Sequence, residues 1–527
     1  MLLSAIHIGF KRFKVSRELL FASLLILMPS AVFPQATNGT KIELLNADVS
    51  EFDEKLNADA TRLIGNVRFR HESAYMNCDS AYLFRKENRL EAFGRIRITQ
   101  GDSLNLTGGK LDYDGNTRIA QVYQNIVLTD RKMTLTTKSV FYDLKNASAS
   151  FTDSAHIVDG ENVLTSKTGF YQSETRDLYF KHDVLLINPR YTLECDTLRY
   201  NTQAKTAFFL GPTDLRTKDS KMYCESGWYN TAKQTSFFTK NAFLDNGHQI
   251  LRGDSIYFNQ LKNIGKAFGN VAIEDSSRSL IIRGNYAEHH QSTDSSWVTG
   301  RAEMVQYDNN DTLFMHADTL LAIGKRDGKD SVASRDIFAY HHVKLFKTDL
   351  QGMCDSLVYT DADSTIRFFK KPVLWTGYNQ LTADSISLIT SNSSLNRIIL
   401  KYNSMIVSQA DTLQIGIVDS LRFNQIAGKQ LIGYFENNEL DRISVTGNVQ
   451  TIYYAKNSKN KDVAVNRVDC SQLMIRVKKN EIQKITFIND PDGSLYPIRE
   501  LSISELRLKG FKWEQQKRPI NRNDIFE

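Results

Sequence analysis

Ser80, Lys110, Ser139, Thr168, Thr197, Ser226, Ser255 and Asn285 follow one another at intervals of 30, 29, 29, 29, 29, 29 and 30 residues. A period of this length makes the chain an array of one supersecondary unit, in which each copy buries its neighbour's apolar face. Such an array builds a long surface or groove more readily than a single catalytic pocket. The anchors usually follow an acidic residue, as in Cys78-Asp79-Ser80-Ala81, Cys195-Asp196-Thr197-Leu198 and Gly253-Asp254-Ser255-Ile256. Positions +1 and +3 from the anchor are mostly apolar or aromatic: Leu111 and Tyr113, Val140 and Tyr142, Leu198 and Tyr200, Ile256 and Phe258. A second segment, often Gly-Asn-Val, has its own column at Asn66, Arg95, Asn125, Ser154, Asp183, Pro212, Asn241 and Asn270. Its +1 and +3 positions are again mostly apolar: Val67 and Phe69, Ile96 and Ile98, Ile126 and Leu128, Ala155 and Ile157, Val184 and Leu186, Val271 and Ile273. Side chains alternate along a strand, so +1 and +3 share one face. Each unit therefore reads as two strands and two turns, and no stretch of the array keeps a long helical period. The expectation is an all-β, elongated, solenoid-like array of two sheets.

After Asn285 the spacing loosens and the motifs persist, in Asp318-Thr319-Leu320, Cys354-Asp355-Ser356-Leu357, Asp384-Ser385-Ile386, Asp411-Thr412-Leu413 and Asp419-Ser420-Leu421. Longer loops are expected at 324–330 and 456–462 by composition. The organisation is a signal peptide over 1–35, a regular array over 41–300, its continuation over 301–490, and a C-terminal cap over 491–527 with a short helix at 506–513. Lys11, Arg12, Lys14 and Arg17 precede an apolar run at 19–28. That run is too short for a standard transmembrane helix and suits a signal segment cleaved between 31 and 36.

The formal charge is +6, and the basic start, four cations against Glu18, supplies +3 of it. The remainder is nearly balanced, which argues against a nucleic-acid binder. The five cysteines, Cys78, Cys195, Cys224, Cys354 and Cys470, are an odd number in an exported chain and cannot all pair. All sit at the first-segment motif, where a small buried residue suffices. Cys195 and Cys224 are one repeat apart, so a bond between them stays open.

No catalytic residue, metal ligand or cofactor site stands out. Asp79, Asp196, Asp254, Asp318, Asp355, Asp384 and Asp411 recur with the strand period, whereas a catalytic group is needed once. They are expected to close turns or to hydrogen-bond backbone where strands begin. His289-His290 and His341-His342 are sequence neighbours, so in a strand they point to opposite faces and chelate one ion poorly. Both pairs are expected in solvated loops.

The segments Leu63-Ile64-Gly65-Asn66-Val67-Arg68-Phe69 and Ala267-Phe268-Gly269-Asn270-Val271-Ala272-Ile273, with Leu251-Arg252-Gly253-Asp254-Ser255-Ile256-Tyr257-Phe258, resemble the OstA/LptA-type repeat of lipopolysaccharide-transport proteins. The resemblance covers about 41–490. It implies an open, twisted β-jellyroll in the periplasm whose interior carries acyl chains, with association at the outer membrane left open. It implies lipopolysaccharide or a related glycolipid as ligand, other Lpt-type envelope proteins as partners by edge-strand addition, and no nucleic acid. The array is longer than one such unit, and the C-terminal part lacks an evident barrel. The groove residues on this reading are Val67, Phe69, Ile96, Ile98, Ile126, Leu128, Tyr142, Ile157, Val184, Leu186, Tyr200, Phe258, Val271 and Ile273. Burying methylenes at about 0.8 kcal/mol each would hold several acyl chains without specific polar contacts. The rival readings are a structural or adhesive envelope β-solenoid with a dry core, and a β-helical envelope enzyme, which would need clustered charges on one face.

Overall fold

The computed structural model describes residues 40–527 apart from 53–58, 102–103, 248, 308–310, 327–331, 392–393, 411–421, 437–438, 458–461, 479–480 and 499–500. The signal segment and the motifs at Asp411 and Asp419 lie outside the described residues, as do most of the two long loops. The described chain is nearly all β, a single antiparallel sheet of 34 strands with only 3₁₀ turns besides. Successive long strands, such as Thr61–His71, Ala74–Phe84, Arg89–Gln100 and Leu104–Asp114, each pair with the next.

Nearly every long strand is folded near its middle. The pairing register slips between Ile64 and Val67, between Asn77 and Ser80, and between Phe93 and Ile96. At these slips two consecutive residues often take positive φ: Gly65 at 81° and Asn66 at 45°, Gly94 at 72° and Arg95 at 39°, Gly269 at 66° and Asn270 at 45°. An extra residue in one strand bends it, and repetition of the bend folds the whole sheet along a line. The result is a trough with two walls. Residues 74–78 and 96–100 belong to the first wall, residues 80–84 and 89–93 to the second. The turns lie along two rims, the first at positions such as 72–73 and 131–132, the second at 85–88, 115–118 and 144–147.

The two sequence motifs are the two halves of this corner. Asn66 Nδ2 donates to Asp48 at 2.9 Å, Arg95 Nε to Asp79 at 2.8 Å, Asn270 Nδ2 to Asp254 at 3.1 Å and Asn403 Nδ2 to Asp384 at 3.1 Å. A Cβ on Gly65, Gly94 or Gly269 would lie 2.4, 2.5 or 2.1 Å from the facing carboxylate oxygen. At these three positions glycine takes the left-handed backbone without strain and leaves room for the carboxylate. The recurring aspartates are thus structural, but they clamp the bend in mid-strand rather than closing turns. His341-His342 is a corner pair too, with φ of 63° and 50°, and its rings meet Asp355 and Asp318. His289-His290 ends the strand Leu280–His290. Neither pair is in a loop, because the repeat continues through both.

Positions +1 and +3 point inward as expected: Leu111 and Tyr113 are each 1% exposed, Val140 and Tyr142 0%. One apolar cluster runs between the walls from Ile42 to Ile475.

The C-terminal segment departs from expectation. Residues 506–513 form turns and extended chain, and the helical pieces are the 3₁₀ turns Gln515–Lys517 and Arg522–Phe526. Instead of capping the end, the tail runs back along the outside of the first wall. There the outward positions turn apolar, and Met405, Val407, Phe423, Ile452, Tyr454 and Val465 pack with Leu508, Phe511 and Trp513. Two buried glutamines hold the tail backbone. Gln425 Oε1 accepts from Leu508 N while its Nε2 donates to Leu506 O, both at 2.9 Å. Gln380 does the same with Glu514 N and Lys512 O, both at 2.7 Å. Farther along, Arg522 grips both carboxylate oxygens of buried Glu303 at 2.8 Å.

Candidate functional site

The space between the walls is the feature that a ligand can use, and its character changes along the array. From the start to Lys205 the two rims are tied together. On the first rim stand His71, Gln100, Asp130 and Asp159; on the second, Tyr113, Tyr142, Tyr171 and Tyr200. His71 Nδ1 meets the Tyr113 hydroxyl, Tyr142 donates to Gln100 Oε1 at 2.5 Å, Tyr171 donates to Asp130, and Tyr200 donates to Asp159 at 3.2 Å. Lys205 Nζ adds a 2.8 Å contact to Asp159, and Arg118 pairs with Glu72 at 2.6 Å across the same mouth. Burial raises the pKa of all four phenols, so they stay neutral donors at physiological pH.

Behind this zip the interior is full. Ile98, Leu106, Leu128 and Leu135 are each 0% exposed. The cavity beside Ile157, Leu186 and Tyr200 measures about 20 Å³, room for about one water and not for an acyl chain.

Past Lys205 the described residues make no further tyrosine bond from rim to rim. Tyr229, next in the tyrosine column, packs edge-on against Tyr191 at 5.6 Å, and the position after it is Phe258, which has no hydroxyl. Inward residues near the rims become half-buried, among them Met222, Tyr229, Leu251, Ile273, Leu280 and Ile282. The inner-face Gly265 leaves room beside it, since an added Cβ would find only Phe258 at 3.6 Å. His289 points inward at the second rim, bonded to Ser296 at 2.8 Å, and its pKa is lowered chiefly by burial. The arrangement is an apolar interior whose side chains near the rims are only half-buried. Among the described residues no three His, Cys, Asp or Glu side chains come together to hold a metal, and no helix is long and apolar enough to cross a membrane.

Of the fourteen residues expected to line a groove, the structure puts eleven on the first wall, with Tyr142, Tyr200 and Phe258 facing them from the second. Val67, Phe69, Ile96, Ile98, Ile126, Leu128, Tyr142, Ile157, Val184, Leu186 and Tyr200 lie in the zipped stretch and are buried. Val271 is buried near the corner of the open stretch, and Phe258 and Ile273 are half-buried at its mouth. The sequence reading missed Met222, Leu251, Leu280 and Ile282 in the open slot. It also missed the rim partners, although His71, Gln100, Asp130 and Asp159 step by 29, 30 and 29 residues. All five cysteines are free and buried, Cys195 and Cys224 included, and burial pushes the thiols of Cys78, Cys195, Cys224 and Cys354 up to about 12.

Residues 39–196 match the family model described as OstA-like protein. No curated protein matches the chain. The matched residues end just short of Lys205, so the match and the zipped stretch nearly coincide. Over that stretch the chain is similar to the OstA-like family.

Proposed function

We propose that the chain is a periplasmic lipid-binding protein of lipopolysaccharide transport and outer-membrane assembly, and that acyl chains enter the slot through its open mouth. The observation that carries this reading is the change along one continuous apolar interior, tied by tyrosine rim bonds up to Lys205 and, among the described residues, not after it. A purely structural array has no need of half-buried apolar side chains along a mouth, since closing it would remove that surface from water at about 25 cal/mol per Å². The dry-core reading is supported by the zipped stretch alone, which on this proposal is scaffold. A photo-crosslinking amino acid at Leu251 or Ile273 is expected to capture lipopolysaccharide in cells, and the same probe at Ile126 or Leu128 to capture little. Absence of adducts at every inward position of folded, exported protein would overturn the proposal in favour of a structural solenoid.

A further inference from the structure

We infer that the outer face of the second wall carries the sugar chain of the glycolipid whose acyl chains occupy the slot, an inference that rests on the lipid-binding reading above. On four adjacent strands, Thr206–Arg216, Lys221–Asn230, Thr235–Asp245 and Gln249–Asn259, one row of outward positions is entirely aromatic: Phe208, Trp228, Phe237 and Tyr257. The register pairs Phe208 with Trp228, Trp228 with Phe237 and Phe237 with Tyr257, so the rings form a continuous ladder. Their chain neighbours Ala207, Phe209, Phe238 and Ile256 fill the inner face, which fixes the four rings on the outside, where all are half-buried. Polar side chains flank the ladder. Ser226, Thr239 and Ser255 are in register on the corner side, and Thr235 and Asn259 on the rim side.

This combination selects among occupants. Rings spaced by one strand, about 4.8 Å, come at close to the length of one hexopyranose unit. Their flat faces match the C–H faces of sugars, while the flanking hydroxyls and amides match sugar hydroxyls. A bilayer fits poorly, because adjacent strands rotate by roughly 20–25° and a flat surface loses contact after a few of them. A crossing peptide has a different seat in this same molecule. Where the tail crosses the first wall, Gln380 and Gln425 each bond a backbone N–H and C=O, and the ladder row offers rings in place of such amides. The position of the ladder adds a second argument. Its unbroken run begins on the strand that follows Lys205, after Phe170 and Tyr179 of the same row and after Arg199, whose guanidinium lies 4.1 Å over the Phe208 ring, so a headgroup above the slot would pass its sugars over the second rim and onto these rings.

The test uses the full-length protein with three probes: lipopolysaccharide with its polysaccharide, the same lipid lacking it, and the polysaccharide released from lipid. Replacing Trp228 and Tyr257 together by Ala should weaken binding of the glycan-bearing lipid about tenfold or more, as loss of aromatic contact residues does. Affinity for the glycan-free lipid and the melting temperature should stay unchanged, and Trp228→Phe should retain most of the affinity. Equal affinity of parent and double variant for the glycan-bearing lipid would overturn the inference while leaving the slot intact. If neither lipid binds the parent, the slot reading itself fails. If in that case the released polysaccharide binds the parent and not the double variant, the ladder is a site for free polysaccharide and the inference as stated is wrong.

Discussion

The stretch from Thr61 to Lys205 and the stretch from Thr206 to His290 are built from the same unit, with the same corner and the same inward columns, yet tyrosines bond the rims of the first together and, among the described residues, not those of the second. The difference lies in a few residues per repeat at the rims. In the first stretch a tyrosine on one rim finds a polar partner on the other, and the inward residues behind it are dry. In the second the tyrosine column reaches Tyr229, packed edge-on against another ring, and then Phe258. The corner sets the shape of the trough, and the rims set whether the trough is a core or a slot. A repeat array can thus assign scaffold and site to neighbouring stretches without changing its fold.

The largest expected effect tests that contrast directly. Leu128→Asp puts a charge into a sealed interior and should cost about 4 kcal/mol or more. Ile273→Asp sits at the open mouth, where water reaches the carboxylate, and should cost about 1–2 kcal/mol. Denaturant midpoints of the two variants check this, and equal losses would mean that the open stretch closes in solution.

A middle-sized effect concerns a third stretch, where the first wall is covered from outside. Gln425→Leu leaves the Leu508 N–H and Leu506 C=O of the tail unpaired, at roughly 1–3 kcal/mol each if they stay buried. Hydrogen exchange should then rise in the strands around Met405 and Ile452, which the tail covers, and stay unchanged between Thr61 and Lys205. A global rise would show that the array unfolds as one cooperative body and that the stretches are not energetically separate.

The sequence spelled out the array well and its variations poorly, for physical reasons. The 29-residue step and the period-two alternation specify strands and their inner face, because burial constrains Leu106, Leu128 or Val140 wherever they occur. The meaning of Asp254 or Asn270 was harder to read. Each motif is half of a contact whose other half lies 16 residues away on the next strand. The rim bonds join residues 41 to 42 apart, about one and a half repeats, so they become visible only when the polar and tyrosine columns are laid side by side. The short helix expected at 506–513 is absent, because Leu508, Phe511 and Trp513 pack on the array. Their partners, Met405, Val407 and Ile452, occupy outward positions of strands far away in the chain.

The smallest expected effect is the most specific to the rims. Tyr171→Phe removes one hydroxyl and nothing else. That hydroxyl is buried, and it donates to Asp130, itself 5% exposed, which also accepts from Ser173 at 3.3 Å. Losing a hydrogen bond to a charged, buried acceptor should cost about 1.5–3 kcal/mol. Tyr229→Phe makes the same chemical change one repeat past Tyr200, where the ring packs on Tyr191 and, among the described residues, no rim bond is made with it. It should be neutral to within about 0.5 kcal/mol. Hydrogen exchange at the turns flanking position 171 should quicken in the first variant only. If the two changes cost the same, the tyrosine bonds are not what shuts the mouth, and the bulk of the inward side chains must decide it instead. If Tyr171→Phe alone lets a crosslinker at Leu128 capture lipid, a single hydroxyl separates scaffold from slot.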